Sequence, residues 1–268
     1  MIYDLQKASM WKRISAFLCD IILFCIVAVG IAFLFSSALG IDTHQDKMTE
    51  ICSHYVEEYD LDAFLTKEEL ASELFFTITE DRYNSLSDND RATYDAATKS
   101  LLENEEYLHA YGMVNQLILL VLTFSILITY LILEFAVPLL FKNGMTVGKK
   151  IFGVGVMRID TVKISPVILL VRTLLGKYAV ETMIPVFVLI SLVLGTADII
   201  TLILLLALIV AQLGFLIFTK GNTPIHDLLA GTVTVDFASQ MIFDSPEELL
   251  EYKKRLHAES VEQKSQHY

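Results

Sequence analysis

Four long apolar runs decide what this chain can fold into, and the first of them carries an aspartate. From Ile14 the sequence stays apolar to about Leu39, roughly 26 residues. At ~1.5 Å per residue that exceeds the ~30 Å hydrocarbon core of a bilayer. Lys12 and Arg13 precede the run and Asp20 lies inside it. A carboxylate at the centre of a spanning helix costs about 2.5–3.5 kcal/mol on insertion scales, so it needs a reason.

A second run extends from about Met113 to Phe141 and contains Glu134. The stretch 165–195 is apolar but interrupted by Arg172, Lys177 and Glu181. It divides into an amphipathic segment, 165–177, expected at the interface, and a span from Tyr178 to Leu194 with a kink at Pro185. The last run, about Ile199 to Phe218, is almost purely Leu, Ile, Val and Ala. The expected fold class is an all-α polytopic membrane protein with about four transmembrane helices. A mean hydropathy of +0.55 and 54% hydrophobic residues argue against an ordinary soluble domain. The first run is too long for a cleaved signal peptide and is read as an uncleaved helix.

The charge is unevenly placed. Residues 40–112 carry 18 acidic side chains, Asp42 to Glu106, against Lys47, Lys67, Arg82, Arg91 and Lys99, whereas the whole chain sums to −12. The acidity therefore belongs to one insertion. Between Lys142 and Lys177 stand Lys142, Lys149, Lys150, Arg158, Lys163, Arg172 and Lys177 with one acid, Asp160. The positive-inside bias puts that loop, the amino terminus and the carboxyl tail in the cytoplasm and residues 40–112 outside. The expected divisions are 1–39, 40–112, 113–235 with its basic loop 142–165, and 236–268.

The insertion is expected to be helical. Thr66-Lys67-Glu68-Glu69 and Ser87-Asp88-Asn89-Asp90 resemble capping boxes, and apolar residues recur at Leu70, Leu74, Phe75 and at Leu101, Leu102, Leu108. Asp60, Asp62, Asp88 and Asp90 lack the sixth-position glycine of an EF-hand loop, so the acids are read as solvated surface and no metal site is assigned. Ser245, Pro246 and Glu248 start a helix in the tail. Gly153–Ile159 and Gly231–Val235 read as short strands, expected to pair at the cytosolic face and bring His226-Asp227 beside the lysine loop. His226-Asp227 fits a proton-handling pair, and a helix-capping Asp227 fits equally.

Asp20 lies about 9 Å and Glu134 about 10 Å from the cytosolic ends of their helices, which places both at one level. Arg172 is the nearest candidate cation. A carboxylate in low dielectric takes up a proton or finds a cation, and this serves a carrier and a structural ion pair alike. Arg13 alone reads as a topology-setting anchor. Gly144-Met145-Thr146-Val147-Gly148-Lys149-Lys150 fails as a phosphate loop, with three residues between its glycines and no Ser or Thr after Lys149. Cys19, Cys25 and Cys52 form no disulfide or zinc pattern. Serine elbows, metalloprotease motifs and dinucleotide fingerprints are absent, so no enzyme and no cofactor is expected. The basic residues have no aromatic platform for nucleic acid.

These residues together resemble the RDD family of bacterial membrane proteins. Arg13 and Asp20 match its first-helix arginine and aspartate, and Gly144, Thr146, Gly148 and Lys149 match a cytosolic Gly-x-Thr-x-Gly-Lys stretch. Arg172 matches a downstream arginine, and His226, Asp227, Ala230, Gly231 and Thr232 match a terminal His-Asp-x-x-Ala-Gly-Thr stretch. The 40–112 insertion is long for the family. The resemblance implies bacterial origin and an integral membrane location, and it leaves function open. Two functions are expected from the residues. One is a carrier or carrier subunit for ions or small solutes, homo-oligomeric, using Asp20, Glu134 and Arg172. The other is a non-transporting accessory or envelope sensor with an acidic outer domain. The lipid bilayer is the partner in either case.

Overall fold

The structure is a computed structural model that describes residues 6–70, 77–141, 144–219 and 221–265. Leu74, Phe75 and Lys142 fall outside the described residues. The chain divides into two compact units, Met1–Val29 with Ile126–Tyr268, and Gly30–Ser125.

Helix α1 (Met10–Leu39) is the first apolar run, extended upstream to include Lys12 and Arg13. The second unit continues with α2 (Ile41–Glu58), the short α3 (Lys67–Leu70) and α4 (Glu80–Ser85), and α5 (Asp88–Glu103). The capping signals form as read. The Glu69 N–H donates to Thr66 Oγ1 at 3.3 Å while the Thr66 N–H donates to Glu69 Oε2 at 2.7 Å. At α5 the Asp90 N–H donates to Ser87 Oγ. Met48, Leu61, Leu65, Ala97, Leu101 and Tyr107 bury one core, so the acidic insertion has an apolar interior of its own.

Helix α6 (Glu105–Leu140) holds the second run. It is wound as a π-helix over Leu131–Ala136, where the Val137 N–H reaches back five residues to the Ile132 carbonyl. After α7 (Val147–Ile151) and β1 (Val154–Arg158), helix α8 spans Pro166–Val193. It corrects the division at 177: no break separates an interfacial segment from a span. Ser165 caps α8 by accepting from the Ile168 N–H, and its middle, Arg172–Met183, is π-wound. Helix α9 (Ile199–Phe218), capped by Asp198, is the fourth apolar helix. Helices α1, α6, α8 and α9 are thus long and apolar enough to cross a membrane.

The chain closes with α10 (Ile225–Leu229), β2 (Thr232–Asp236) and α11 (Pro246–Ser265). The two strands pair antiparallel, Val156 opposite Thr234 and Arg158 opposite Thr232. Both outer edges are covered, since Lys7 bridges to Val235 and Lys163 bridges to Met157. The Asp236 N–H also donates to the Gln6 carbonyl at 2.8 Å. Covering both edges removes the unpaired donors that an isolated two-stranded sheet would expose. The tail helix starts at Ser245 as read, with the refinement that Glu248 accepts from the Asp244 N–H rather than from Ser245.

Candidate functional site: a buried charge network

Two prolines shape the site. Pro138 stands four residues after Glu134, and Pro185 four residues after Glu181. Proline has no N–H, so neither glutamate carbonyl can receive its ordinary α-helical hydrogen bond. Both helices are π-wound immediately before these prolines. The Glu134 carbonyl instead accepts from Thr173 Oγ1 of α8 at 3.0 Å, in a fully buried contact.

The winding also decides which side chains can act together. Arg172 and Glu181 are nine residues apart, about two and a half turns of an α-helix, which would set them on opposite faces. With bonds closing five residues back, at roughly 4.4 residues per turn, nine residues make about two turns. Arg172 and Glu181 therefore share a face, and they grip adjacent residues of α10. Arg172 Nε donates to Asp227 Oδ1 at 2.7 Å. The Glu181 carboxylate accepts from the His226 backbone N–H at 3.0 Å and pairs with His226 Nδ1 at 2.7 Å. Close approach of the two helices depends on Gly176, where a Cβ would lie 2.5 Å from His226 Cβ.

Asp227 is fully buried and well satisfied. Besides Arg172 it accepts from Thr232 Oγ1 at 2.7 Å and Thr234 Oγ1 at 3.0 Å. Burial alone would raise its carboxyl, but the Arg172 guanidinium outweighs that and holds it well below the usual carboxylate range. Asp227 does not cap a helix; it ties α8 to β2. His226 has its pKa lowered, first by burial and next by Arg172. Both favour the neutral imidazole, and in that form the Glu181 carboxylate, an acceptor, assigns the ring proton to Nδ1. Its closest approach to Asp227 is 3.8 Å, from Nε2 to Oδ1.

Glu134 is buried within the π-wound part of α6. Its Oε1 pairs with Lys177. Its Oε2 lies 3.8 Å from Arg172 Nη1, and neither of those two atoms has a hydrogen-bond partner among the described residues. Of the three candidates read from the sequence, Glu134 and Arg172 are thus brought together. Asp20 turns elsewhere: it accepts from Thr146 Oγ1 at 2.5 Å and from the Gly148 N–H at 2.8 Å. Asp20 thereby holds the first turn of α7, whose N-cap is Thr146. A side chain at position 148 would meet the Ala16 carbonyl oxygen and lie 2.9 Å from Asp20 Cγ, which explains the glycine there. Lys149 is half-buried; its backbone N–H donates to Thr146 Oγ1, and its amine has no hydrogen-bond or ion-pair partner among the described residues. Burial first, then the charge of Lys177, push its amine down to about 8, while Glu134 and Asp20 oppose the shift.

Arg13 does more than anchor. Its guanidinium donates to the carbonyls of Gly221 at 3.1 Å, Asn222 at 3.0 Å and Thr234 at 2.6 Å. It clasps the chain on either side of α10. Gly144 and Gly231 adopt positive φ, at 63° and 62°, and Gly231 turns the chain from α10 into β2.

Sequence reasoning missed Lys177 and Glu181 as members of the network. It counted them only as charged interruptions of an apolar stretch, and α-helical spacing would in any case put Glu181 opposite Arg172. The repeated Glu-x-x-x-Pro spacing was the available signal. Among the described residues no group of three His, Cys, Asp or Glu side chains is placed to hold a metal ion.

The RDD family model matches residues 7–231, which includes every charged residue of the network. No curated protein and no solved structure matches the chain.

Proposed function

The chain belongs to the RDD family, and with four helices fit to cross a bilayer it is an integral membrane protein; from that premise we propose that it is a small carrier, or carrier subunit, for ions or small solutes. One observation supports this most: Glu134 Oε2 and Arg172 Nη1 face each other across 3.8 Å without a hydrogen bond, inside helices of membrane-spanning length. Buried polar atoms left unmet cost about 1–3 kcal/mol each. Ionisable residues within spans mark ion and proton pathways by default. Glu134 is the exchangeable group, Lys177 and Arg172 are its resident counter-charges, and Asp20 holds the lysine loop against α1.

In this reading the protein resides in a bacterial plasma membrane. Both termini are cytoplasmic, residues 40–112 are extracytoplasmic, and the protein catalyses no covalent step. Four spans are few for a path through the bilayer, so the working unit is a homo-oligomer. Proteoliposomes loaded with a pH-sensitive dye test it. Imposed salt or solute gradients should drive a signal that Glu134→Gln and Asp20→Asn reduce at least tenfold while the protein stays monodisperse. Absence of any signal with folded wild-type protein across monovalent cations, anions and small zwitterions contradicts it.

The second reading, a non-transporting accessory or sensor, draws on the separate core of the acidic unit. Deleting residues 42–110 separates the two: a carrier built from the spans keeps flux, and a sensor loses its function.

A further inference from the structure

Four charged or titratable groups stand in a row through α10, α8 and α6, and the spacing alternates. His226 Nε2 is 3.8 Å from Asp227 Oδ1, Arg172 Nε is 2.7 Å from that same oxygen, and Arg172 Nη1 is 3.8 Å from Glu134 Oε2. One made contact lies between two unmade ones.

The unmade contacts have chemical causes. In the neutral imidazole the Glu181 carboxylate requires the ring proton on Nδ1, which leaves Nε2 a lone pair 3.8 Å from the Asp227 carboxylate oxygen and no proton to donate to it. At the other end, Arg172 is held by Asp227 through Nε and Glu134 by Lys177 through Oε1. Each is pinned by its other atom, which leaves Nη1 and Oε2 unjoined.

We propose that His226 is a proton-binding site whose loading is relayed to Glu134 by partner exchange at Arg172. A proton arriving on Nε2 forms an N–H bond there and turns the imidazole into a cation with two donors. Nδ1–H stays on Glu181, and Asp227 Oδ1, 3.8 Å from Nε2, is the carboxylate oxygen within reach of the new Nε2–H. That oxygen already accepts from Arg172 Nε and Thr232 Oγ1, so a third donor must displace one of them. Arg172 has somewhere to go: among the described residues Glu134 Oε2 has no hydrogen-bond partner, and from 3.8 Å it needs only about 1 Å of closure to reach hydrogen-bond distance. Arg172 then shares Glu134 with Lys177 and loosens that pair. Deprotonation reverses the sequence, and no charge is created or lost beyond the one proton.

Among the described residues, the charged groups acting on His226 all take part. From α8 these are Glu181, Arg172 and Lys177, and from α10 itself Asp227. Burial and Arg172 both disfavour the imidazolium, consistent with the unloaded arrangement seen here. Gly176 keeps the His226 backbone against α8, so the ring rather than the helix must respond.

The relay takes the buried network as the coupling site proposed above, but its readout is the protonation of His226 and needs no flux. The experiment is an NMR titration of ¹⁵N-histidine-labelled full-length protein in nanodiscs, following the His226 ring, assigned with His226→Gln. Glu134→Gln removes the receiving carboxylate, and Glu134→Asp keeps the charge but withdraws its oxygens by one methylene. The relay predicts that both lower the His226 midpoint, by about half to one pH unit, because Arg172 loses its alternative partner. Glu134→Asp at the wild-type midpoint would overturn the relay, since charge alone would then explain any effect of Glu134→Gln. Wild-type structures at pH 5 and pH 8 give a second, variant-free test. The Arg172–Glu134 contact should close below about 3.2 Å at pH 5 as Arg172–Asp227 opens. An unchanged 2.7 Å pair at both values, with His226 shown by NMR to be protonated, would also overturn it. Absent flux with an intact relay would count against the carrier reading alone.

Discussion

Pro138 stands four residues after Glu134, and the carbonyl it leaves without an α-helical donor is taken up by Thr173 from the neighbouring helix. Backbone geometry and buried charge are therefore set by the same few residues. Removing the hydroxyl while keeping shape, as Thr173→Val, should destabilise the protein by about 1–3 kcal/mol, with Thr173→Ser retaining most stability. In a Pro138→Ala background the carbonyl regains an N–H donor, and Thr173→Val should cost much less. Thermal unfolding of the four proteins gives the coupling, and additive effects would refute this link between proline and threonine.

Gly176 and His226 are in closest packing, with room for no Cβ between α8 and α10. Gly176→Ala forces the helices apart and should cost about 1–3 kcal/mol, with Arg172 and Glu181 losing their grip on α10. Differential hydrogen exchange over 225–236 should rise in this variant. Unaltered protection there would mean α10 is held by something else.

The stability of the unit containing α10 should rise with pH. Asp227 is held below its unfolded value of 3.8, so its contribution is complete above that value and is lost as pH falls through the folded value. The folded pKa of His226 is likewise depressed from 6.5, and its contribution fades as pH drops below that value. Lys149, at about 8 against an unfolded 10.5, penalises folding below 8 and is relieved between 8 and 10.5. All three have the same sign. Denaturation midpoints at pH 5, 7 and 9 check it, and a maximum at pH 5 would contradict it.

Asp20 holds two donors of the α7 turn, Thr146 Oγ1 and the Gly148 N–H. Asp20→Ala should release that turn, costing about 2–4 kcal/mol for two charge-assisted bonds, and should expose residues 144–151 to proteolysis. Asp20→Asn keeps an acceptor and should fall between. Equal stability of all three proteins would sever α1 from the loop.

Much of this was legible in the residues. Apolar run length gave the four helices, capping residues gave the starts of α3, α5 and α11, and valine-glycine patterning gave the strand pair. The charge network was read only in part, through Glu134 and Arg172, and Asp20 was placed on their level although its contacts go to Thr146 and Gly148. Two physical reasons account for the rest. Depth counted along an ideal α-helix says nothing about azimuth, and π-winding moved Glu181 about half a turn relative to Arg172. Arg13 binds backbone carbonyls, which leave no mark on side-chain patterning. The covering of β2 by Lys7 was illegible for the same reason.

The central claim is that the buried ions serve coupling as well as cohesion, and one double substitution separates those roles. Replacing both members of a buried pair by apolar residues of similar volume is often neutral for stability, whereas removing one member is costly. Glu134→Leu combined with Lys177→Met should therefore fold with near wild-type thermal stability, since Arg172 keeps Asp227. Solute- or salt-driven flux in proteoliposomes is the measurement. The account predicts a folded double variant with flux reduced to the level of empty liposomes, and flux retained at the wild-type rate would contradict it.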